Sequence, residues 1–299
     1  MNRRISIAAI VVTILLVAGL LLYGCGKGTS VGGGDQAQES TYSRVIKAGK
    51  IRCAYVIYPP GMMKDPNTGK LSGIAVETIE QVGKNLGLGI DWTEEVGWGS
   101  MIEGLDTNRY DLVVSGIWPN SSRAKLVDFS EPLYYSGIGV YVRQNDNRFA
   151  SDIKPLNAQG IKLTTIDGEM SDIIARNQFP NAERVSLPQL SDNSQMLLNV
   201  AQGRADATFV EPYIGDQFLK NNPGTVKNVV DQKPIRVFGN TVMFRRGQME
   251  FKTMLNTAIE ELINSGFVDG IVDKYETFPG AFYRRAYPYR SSGQMQPGK

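Results

Sequence analysis

Residues 110–135 combine residue types that could hold a small anion. A short apolar strand, predicted at residues 112–114, opens into the small pair Ser115-Gly116, and Arg123 follows on the next predicted helical turn. Backbone N–H groups at a helix start favour negative charge, and an arginine fork can hold a carboxylate with two parallel hydrogen bonds. These residues alone favour equally the alternative that Arg123 only pairs with Asp128 on the surface.

The first 24 residues are typical of an export segment. Arg3 and Arg4 give a positive start, residues 5–22 form an almost unbroken apolar run, and Cys25 follows. This order resembles a bacterial lipoprotein signal over residues 1–24, after which Cys25 is lipidated. The alternative is an uncleaved anchor, because the run approaches the ~20 residues that span a bilayer. Both interpretations place the remaining chain on the periplasmic or cell-surface side of the cytoplasmic membrane, or at the outer membrane, and attached to it.

Composition excludes several classes of function. Residues 1–24 hold two of the 32 Lys+Arg and none of the 30 Asp+Glu, so the remainder is formally neutral. Nucleic-acid binding needs a basic face and is not expected. The absence of histidine removes Ser-His-Asp and Cys-His catalysis and histidine-ligated metal sites. Besides Cys25 the sequence has only Cys53, which we interpret as a core residue without a disulfide partner. We expect no metal and no cofactor.

An internal repeat is the most informative pattern. Predicted strands and helices alternate, which indicates a mostly parallel sheet with helices on its faces. A constant shift along the chain superimposes two helix–turn–strand segments and pairs Met101 with Met196, Arg109 with Arg204, Asp111 with Asp206, and Gly116 with Glu211. Ligands of open α/β sheets bind beyond the carboxyl ends of the strands, so two such lobes would enclose one ligand between them.

Two β-rich segments flank the second copy of the repeat. We interpret residues 138–143 and 236–245 as strands that carry the chain from lobe 1 to lobe 2 and back, which makes a hinge. The predicted fold is α/β, with two Rossmann-like lobes joined by a two-strand hinge. The predicted boundaries are a flexible tether at 25–43, lobe 1 at 44–140 and 240–278, lobe 2 at 141–239, and a basic tail at 279–299 that docks at its start.

Five motifs resemble those of a known family. They are DLVVSG at 111–116, the run from Arg123 to VDFSEPLYY, TGKLSGIAVE at 68–77, GRADATFVEP at 203–212 and INSGFVDGIVDKY at 263–275. Together they span roughly residues 44–276 and resemble the bacterial extracellular solute-binding proteins of family 3, the polar-amino-acid-binding components of ABC importers. The resemblance implies a type 2 periplasmic-binding-protein architecture, a monomer that closes on its ligand without chemistry, and a membrane permease as partner.

The same resemblance implies the ligand-binding residues. Arg123 falls on the arginine that holds the ligand's α-carboxylate. Glu211 falls where the family usually has an aspartate that binds the α-ammonium. A zwitterion needs one fixed cation and one fixed anion with apolar walls between them, so the assignment is physically consistent. The implied backbone contacts and aromatic walls fall on Ser115, Gly116, Tyr58 and Trp98.

Three departures from the family pattern lie within the site. Trp118 stands where Thr or Ser is common, Gly168-Glu169-Met170-Ser171 replaces a Gly-Thr-Thr turn, and Glu211 is one methylene longer than aspartate. The site therefore holds a carboxylate less well but gains a carboxyl group and an indole. Three alternatives remain: Trp98 and Trp118 as core residues, Glu169 as an acid favoured at a helix start, and Glu211 as a cap of the helix that follows it.

The charges of the site predict the class of ligand. One arginine and two carboxyl groups beside tryptophan faces favour an amino acid or related amine that carries extra positive charge. We therefore predict an extracytoplasmic binding protein that delivers this ligand to a permease. The alternative is an enzyme similar to cyclohexadienyl dehydratases, in which Glu169 or Glu211 would be the proton donor.

Overall fold

The structure, a computed structural model, describes residues 39–230 and 233–285. The predicted signal segment, Cys25, most of the tether and the tail after residue 285 lie outside the described residues. Helix α1 (Thr41–Ala48) is capped by Ser40, whose side chain accepts from the N–H of Ser43. Residues 41–43 of the predicted tether are therefore helical. No helix within the described ranges is long and apolar enough to cross a membrane.

Lobe 1 begins with a sheet in which parallel strands alternate with helices. Strand β1 pairs in parallel with β4 on one side and β5 on the other, the arrangement expected when helices connect successive strands. After α1, its elements are β1 (Lys50–Tyr55), β2 (Met63–Lys64), β3 (Leu71–Ser72), α2 (Ile74–Leu86), β4 (Gly89–Glu95), α3 (Met101–Asp106), β5 (Leu112–Ile117), α4 (Ser121–Ala124) and β6 (Val127–Phe129).

Lobe 2 repeats this construction, and the chain then returns to lobe 1. Strand β8 pairs in parallel with β9 and β10. The elements are β7 (Tyr134–Arg143), a 3-10 helix (Lys154–Asn157), β8 (Lys162–Ile166), α5 (Met170–Gln178), β9 (Glu183–Leu187), α6 (Ser194–Ala201), β10 (Ala207–Val210), α7 (Pro212–Asn221) and β11 (Val226–Asn228). The returning elements are β12 (Arg236–Arg245), α8 (Met249–Asn264), α9 (Phe267–Tyr275) and β13 (Phe282–Tyr283).

Strands β7 and β12 form the hinge because each changes partners part-way along its length. Residues 236–240 of β12 pair with residues 134–138 of β7, and Thr241–Phe244 then pair with β5 of lobe 1. The second half of β7 pairs with β10 of lobe 2. The predicted two-strand hinge is therefore confirmed, although its first strand crosses about four residues earlier than residues 138–143. Strand β13 adds to the other edge of β7, opposite Tyr135 and Ser136.

The aspartates of the internal repeat have the same structural role in both lobes. Asp111 precedes β5; its N–H donates to the carbonyl of Arg52, and its Oδ2 accepts from the N–H of Arg52. Asp206 precedes β10 and forms the same pair of bonds with Lys162. Each aspartate thus ties its strand to the neighbouring parallel strand, and the strand ends of both lobes are held in register.

The core of lobe 1 lies on both faces of its sheet. Leu112 and Val114 of β5 pack in a buried cluster with α2, α8 and α9, whereas Val113 points to the opposite face, as the alternation of a strand requires. That opposite face is continuous with the core of lobe 2. Cys53 is a free, fully buried thiol in the first cluster, as expected for a small core residue.

Candidate functional site

Arg123 lies in the interior rather than on the surface. It belongs to the short helix α4, whose first turn is fixed by a hydrogen bond from the Arg123 N–H to the side chain of Asn120. The residue is only 7% exposed. Asp128, the alternative surface partner, instead accepts from the backbone N–H of Gly247. The interpretation of Arg123 as a surface ion pair is therefore wrong.

The guanidinium of Arg123 bridges the two lobes. Nη1 donates to the carbonyl of Trp118 at 3.3 Å, and Nη2 donates to the carbonyl of Gly168 in lobe 2 at 2.9 Å. Burial lowers the pKa of this group to about 10, and the nearby Glu169 partly offsets the effect. Arg123 is therefore charged at neutral pH, and two of its five N–H donors are used by backbone oxygens.

The ring of Trp98 lies beside this guanidinium and packs in a cluster with the rings of Tyr58 and Trp118. The ring of Tyr58 meets those of Trp98 and Trp118 edge-on, with centroids 5.7 and 5.9 Å away. The Cζ of Arg123 lies 5.9 Å from the centroid of Trp98, within the range of a cation–π contact. Trp118 also stacks on Phe238 of the hinge at 4.9 Å. The structure brings these predicted residues together; their contact with a ligand stays a prediction.

Glu211 presents a buried carboxyl group from lobe 2. It directly precedes α7 but does not cap it with its side chain, and it is 1% exposed. Neither carboxyl oxygen has a hydrogen-bond partner of normal distance and angle within the described part of the chain. Burial raises the pKa of Glu211 to about 8, with a further contribution from Glu169, while the neighbouring Ser136 hydroxyl partly offsets the rise. A cation placed beside such a buried carboxyl group would stabilise its charged form.

Glu169 and Met170 have a structural role at the start of α5. The Oε2 of Glu169 accepts from the N–H of Ser171 at 2.6 Å, so the side chain caps this helix as the alternative interpretation proposed. Burial raises the pKa of Glu169 in spite of that bond and of the nearby Arg123 charge. Met170 is buried in the same cluster as Trp98. Whether either residue contacts a ligand stays a prediction.

Ser115 and Gly116 lie at the carboxyl end of β5, as expected for backbone contacts. The Ser115 hydroxyl is buried and has no hydrogen-bond partner among the described residues. Gly116 is required by close packing, because an added Cβ would lie 2.7 Å from the side-chain oxygen of Asn240 and 3.5 Å from the ring of Tyr58. Their ligand contacts are also predictions.

Asn240 is a site residue that the sequence reasoning missed. Its Oδ1 accepts from the indole Nε1 of Trp118 at 2.8 Å, and its Nδ2 donates to the hydroxyl of Ser136 at 2.5 Å. A polar chain therefore runs through the hinge from Trp118 in lobe 1 towards Glu211 in lobe 2. A single amide within the apolar strand β12 was the only signal of this link.

A comparison with protein families identifies the class of this protein. The model described as bacterial extracellular solute-binding proteins, family 3, matches residues 51–278, well over half of the chain. The chain belongs to this family. Its two lobes and its two-strand hinge are those of the type 2 periplasmic-binding-protein fold.

Curated relatives cover almost the whole family 3 chain. It is 27% identical to the L-cystine-binding protein TcyA of Bacillus subtilis over 270 residues. This match covers 89% of this chain and 96% of the relative. It is 24% identical over 267 residues to the arginine-binding extracellular protein ArtP of the same organism, with coverages of 88% and 97%.

Solved structures agree with the fold. The ancestral amino acid-binding protein AncCDT-1, a precursor of cyclohexadienyl dehydratase, superimposes with a TM-score of 0.69 at 24% identity, over 79% of this chain and 99% of that structure. An ancestral arginine-binding protein bound to arginine superimposes with a TM-score of 0.64 at 25% identity, over 76% and 98% of the two chains.

Proposed function

We propose that this family 3 protein is the substrate-binding component of an ABC importer, and that it binds an amino acid or related amine with extra positive charge. The ligand lies between the lobes, where Arg123 holds its carboxylate and Glu211 its ammonium. The lobes close over it, and the closed protein delivers it to a membrane permease. The protein works outside the cytoplasmic membrane, attached through Cys25 or through an uncleaved anchor, and as a monomer.

The observation that carries this proposal is the carboxyl group of Glu211. It is buried without a hydrogen-bond partner in the described ranges, and its pKa is raised to about 8 mainly by that burial. Glu169 adds a second buried carboxyl group close enough to influence it, whereas Arg123 is the cation that acts on Glu169. Two acids against one guanidinium favour a ligand with surplus positive charge.

The remaining groups fit an amino acid. Arg123 uses two donors on the carbonyls of Trp118 and Gly168, which leaves N–H groups for a carboxylate. Tyr58 and Trp98 offer rings on which an aliphatic or cationic side chain can lie. The names of the relatives, among them an arginine-binding protein, support a ligand of this class.

Isothermal titration of the purified protein tests the proposal. The panel contains L-arginine, L-lysine, L-cystine, L-glutamine, L-glutamate, L-leucine and putrescine. We expect the cationic members to bind most tightly. Replacing Glu211→Gln removes a charge-assisted contact, so affinity for them falls about 10-fold or more. The exposed Glu103→Gln, in α3, is the matched control and leaves affinity unchanged. Tight binding of glutamate or leucine, with none of the cationic ligands, contradicts the proposal.

A second candidate function is that of an enzyme similar to cyclohexadienyl dehydratases. The raised pKa of Glu211, about 8, keeps a carboxylic acid protonated at neutral pH in the cleft, as a general acid requires. We favour binding without chemistry, because the protein belongs to a family of solute-binding proteins. Incubation with prephenate or arogenate separates the two, since any turnover that Glu211→Gln abolishes supports the enzyme.

A further inference from the structure

Three glycines lie where the two lobes meet, a contact that we call the seam: Gly97 and Gly99 of lobe 1, and Gly168 of lobe 2. Residues 97–99 form the turn after β4 of lobe 1 and face lobe 2. A Cβ on Gly97 would overlap with the side chain of Gln189, and a Cβ on Gly99 would lie 3.0 Å from its Oε1. Gly168 has a φ of +74°, and a Cβ there would lie 3.1 Å from the Gly99 nitrogen. A side chain at Gly168 would press on the backbone of Gly99, whereas the flexible Gln189 side chain could move away from one at Gly97 or Gly99.

One lobe 2 side chain uses this close approach. Gln189 follows β9, and its Oε1 accepts a hydrogen bond from the N–H of Gly99 at 2.8 Å. The two residues are 90 positions apart in the chain and belong to different lobes, so this bond requires a closed seam. It lies directly beside Trp98, whose ring packs edge-on against Tyr58 at 5.7 Å.

We propose that Gln189 is a positioning residue for ligand retention, which fixes the turn that carries Trp98 and holds lobe 2 against lobe 1. The inference rests on the proposed function, because retention supposes a ligand between the lobes. A contact made only in the closed state shifts the equilibrium towards closure. One net hydrogen bond corresponds to roughly a 3- to 10-fold effect, and we expect it mainly in the dissociation rate.

Replacement of Gln189 tests the closure of the lobes without removing a predicted ligand-binding residue. The bond from Arg123 to Gly168 also crosses the seam, but Arg123 is a predicted ligand-binding residue, so its replacement would disturb both. Among the described residues, the Gln189 side chain makes one hydrogen bond, in which its Oε1 accepts from Gly99, and it also packs against Gly97. Gln189→Glu keeps an acceptor oxygen at the same distance from the backbone and can accept the same bond, whereas Gln189→Ala cannot.

The experiment uses the purified protein with L-arginine as the probe. Stopped-flow tryptophan fluorescence gives the association and dissociation rates. Spin labels at Asn85→Cys in lobe 1 and Lys154→Cys in lobe 2, both exposed, report the closed fraction with and without the probe. The variants are Gln189→Ala, Gln189→Glu and, as a control, Gln195→Ala at an exposed position of α6. Thermal unfolding without ligand monitors the fold.

We expect Gln189→Ala to raise the dissociation rate 3- to 10-fold and to lower the closed fraction, with an unchanged association rate and unfolding temperature. Gln189→Glu and Gln195→Ala should stay within twofold of the wild type. Equal closed fractions in Gln189→Ala and wild type, or equal loss in Gln189→Ala and Gln189→Glu, would overturn the role. If neither protein binds L-arginine, L-lysine or putrescine, the cationic-ligand proposal fails, and the ligand-free closed fractions still decide the role of Gln189.

Discussion

Replacement of Glu211 by glutamine should stabilise the ligand-free protein at alkaline pH. The folded protein holds the Glu211 proton with a pKa of about 8, against the ordinary value of 4.5. A group whose pKa is raised by folding contributes stability that is complete below pH ~4.5 and is lost as the pH rises through ~8. Above that pH the native state holds a charge that burial disfavours.

The magnitude follows from the size of the shift. The values of about 8 and 4.5 differ by about 3.5 pH units. At about 1.36 kcal/mol per unit, the loss between pH 4.5 and 9 is ~5 kcal/mol at most. Interaction with Glu169 shares part of this effect, so we expect ~3–5 kcal/mol. Glutamine has nearly the same shape and does not titrate, so the variant should escape this loss.

The assay is urea unfolding of the ligand-free wild type and Glu211→Gln at pH values from 5 to 9. The free energy of unfolding of the wild type minus that of the variant should fall with a slope of up to ~1.4 kcal/mol per pH unit and become constant above pH ~8.5. Taking the difference cancels other titrating groups. The control Glu103→Gln should follow the wild type. A difference that is constant across this range, or that rises with pH, refutes the buried-acid reasoning.

Three further predictions concern the frame of the site. Asp111→Ala should lose about 2–3 kcal/mol of unfolding free energy in chemical denaturation, because the buried carboxylate pairs with Arg52. The partly exposed Asp91, paired with Lys50, should lose under ~1 kcal/mol when replaced by alanine. Gly116→Ala should lose about 1–3 kcal/mol and alter near-ultraviolet circular dichroism, since its Cβ meets the Asn240 oxygen that holds an indole. Burial raises the pKa of the Cys53 thiol, so Ellman's reagent should react with it only after unfolding.

Patterns with a local cause were predictable from the sequence. The repeat of helix, turn and strand located Asp111 and Asp206, because each aspartate bonds the backbone of the adjacent strand in the same way. The apolar strand ending at Ser115-Gly116 indicated that Arg123 follows the carboxyl end of β5, which is where α4 carries it. These features depend on the order and spacing of residues within a helix, a turn and the strand that follows it, and the periodicity of the sequence reveals that spacing.

Contacts between distant segments were not predictable. The bond from Trp118 to Asn240 joins residues 122 positions apart and depends on where β12 leaves the hinge and enters the sheet of lobe 1. The bond between Gln189 and Gly99 depends on how far the lobes close. No periodic pattern in the sequence indicates that Asn240 bonds to Trp118 or that Gln189 bonds to Gly99. Helix α1 was missed for a different reason, because it is one short element beside a Gly- and Ser-rich segment.

Strand β13 gives the hinge a mechanical property. Tyr135 and Ser136 of β7 are paired with β12 on one side and with β13 on the other, so the crossing ribbon is three strands wide at that level. Arg284, which follows β13, forms an ion pair with Glu276 at the end of α9, in which the Arg284 Nη2 lies 2.7 Å from the Glu276 Oε2. Because β13 is tied to lobe 1 through this ion pair, we expect it to resist bending of the hinge strands β7 and β12. We therefore expect the third strand to limit how far the two lobes can open.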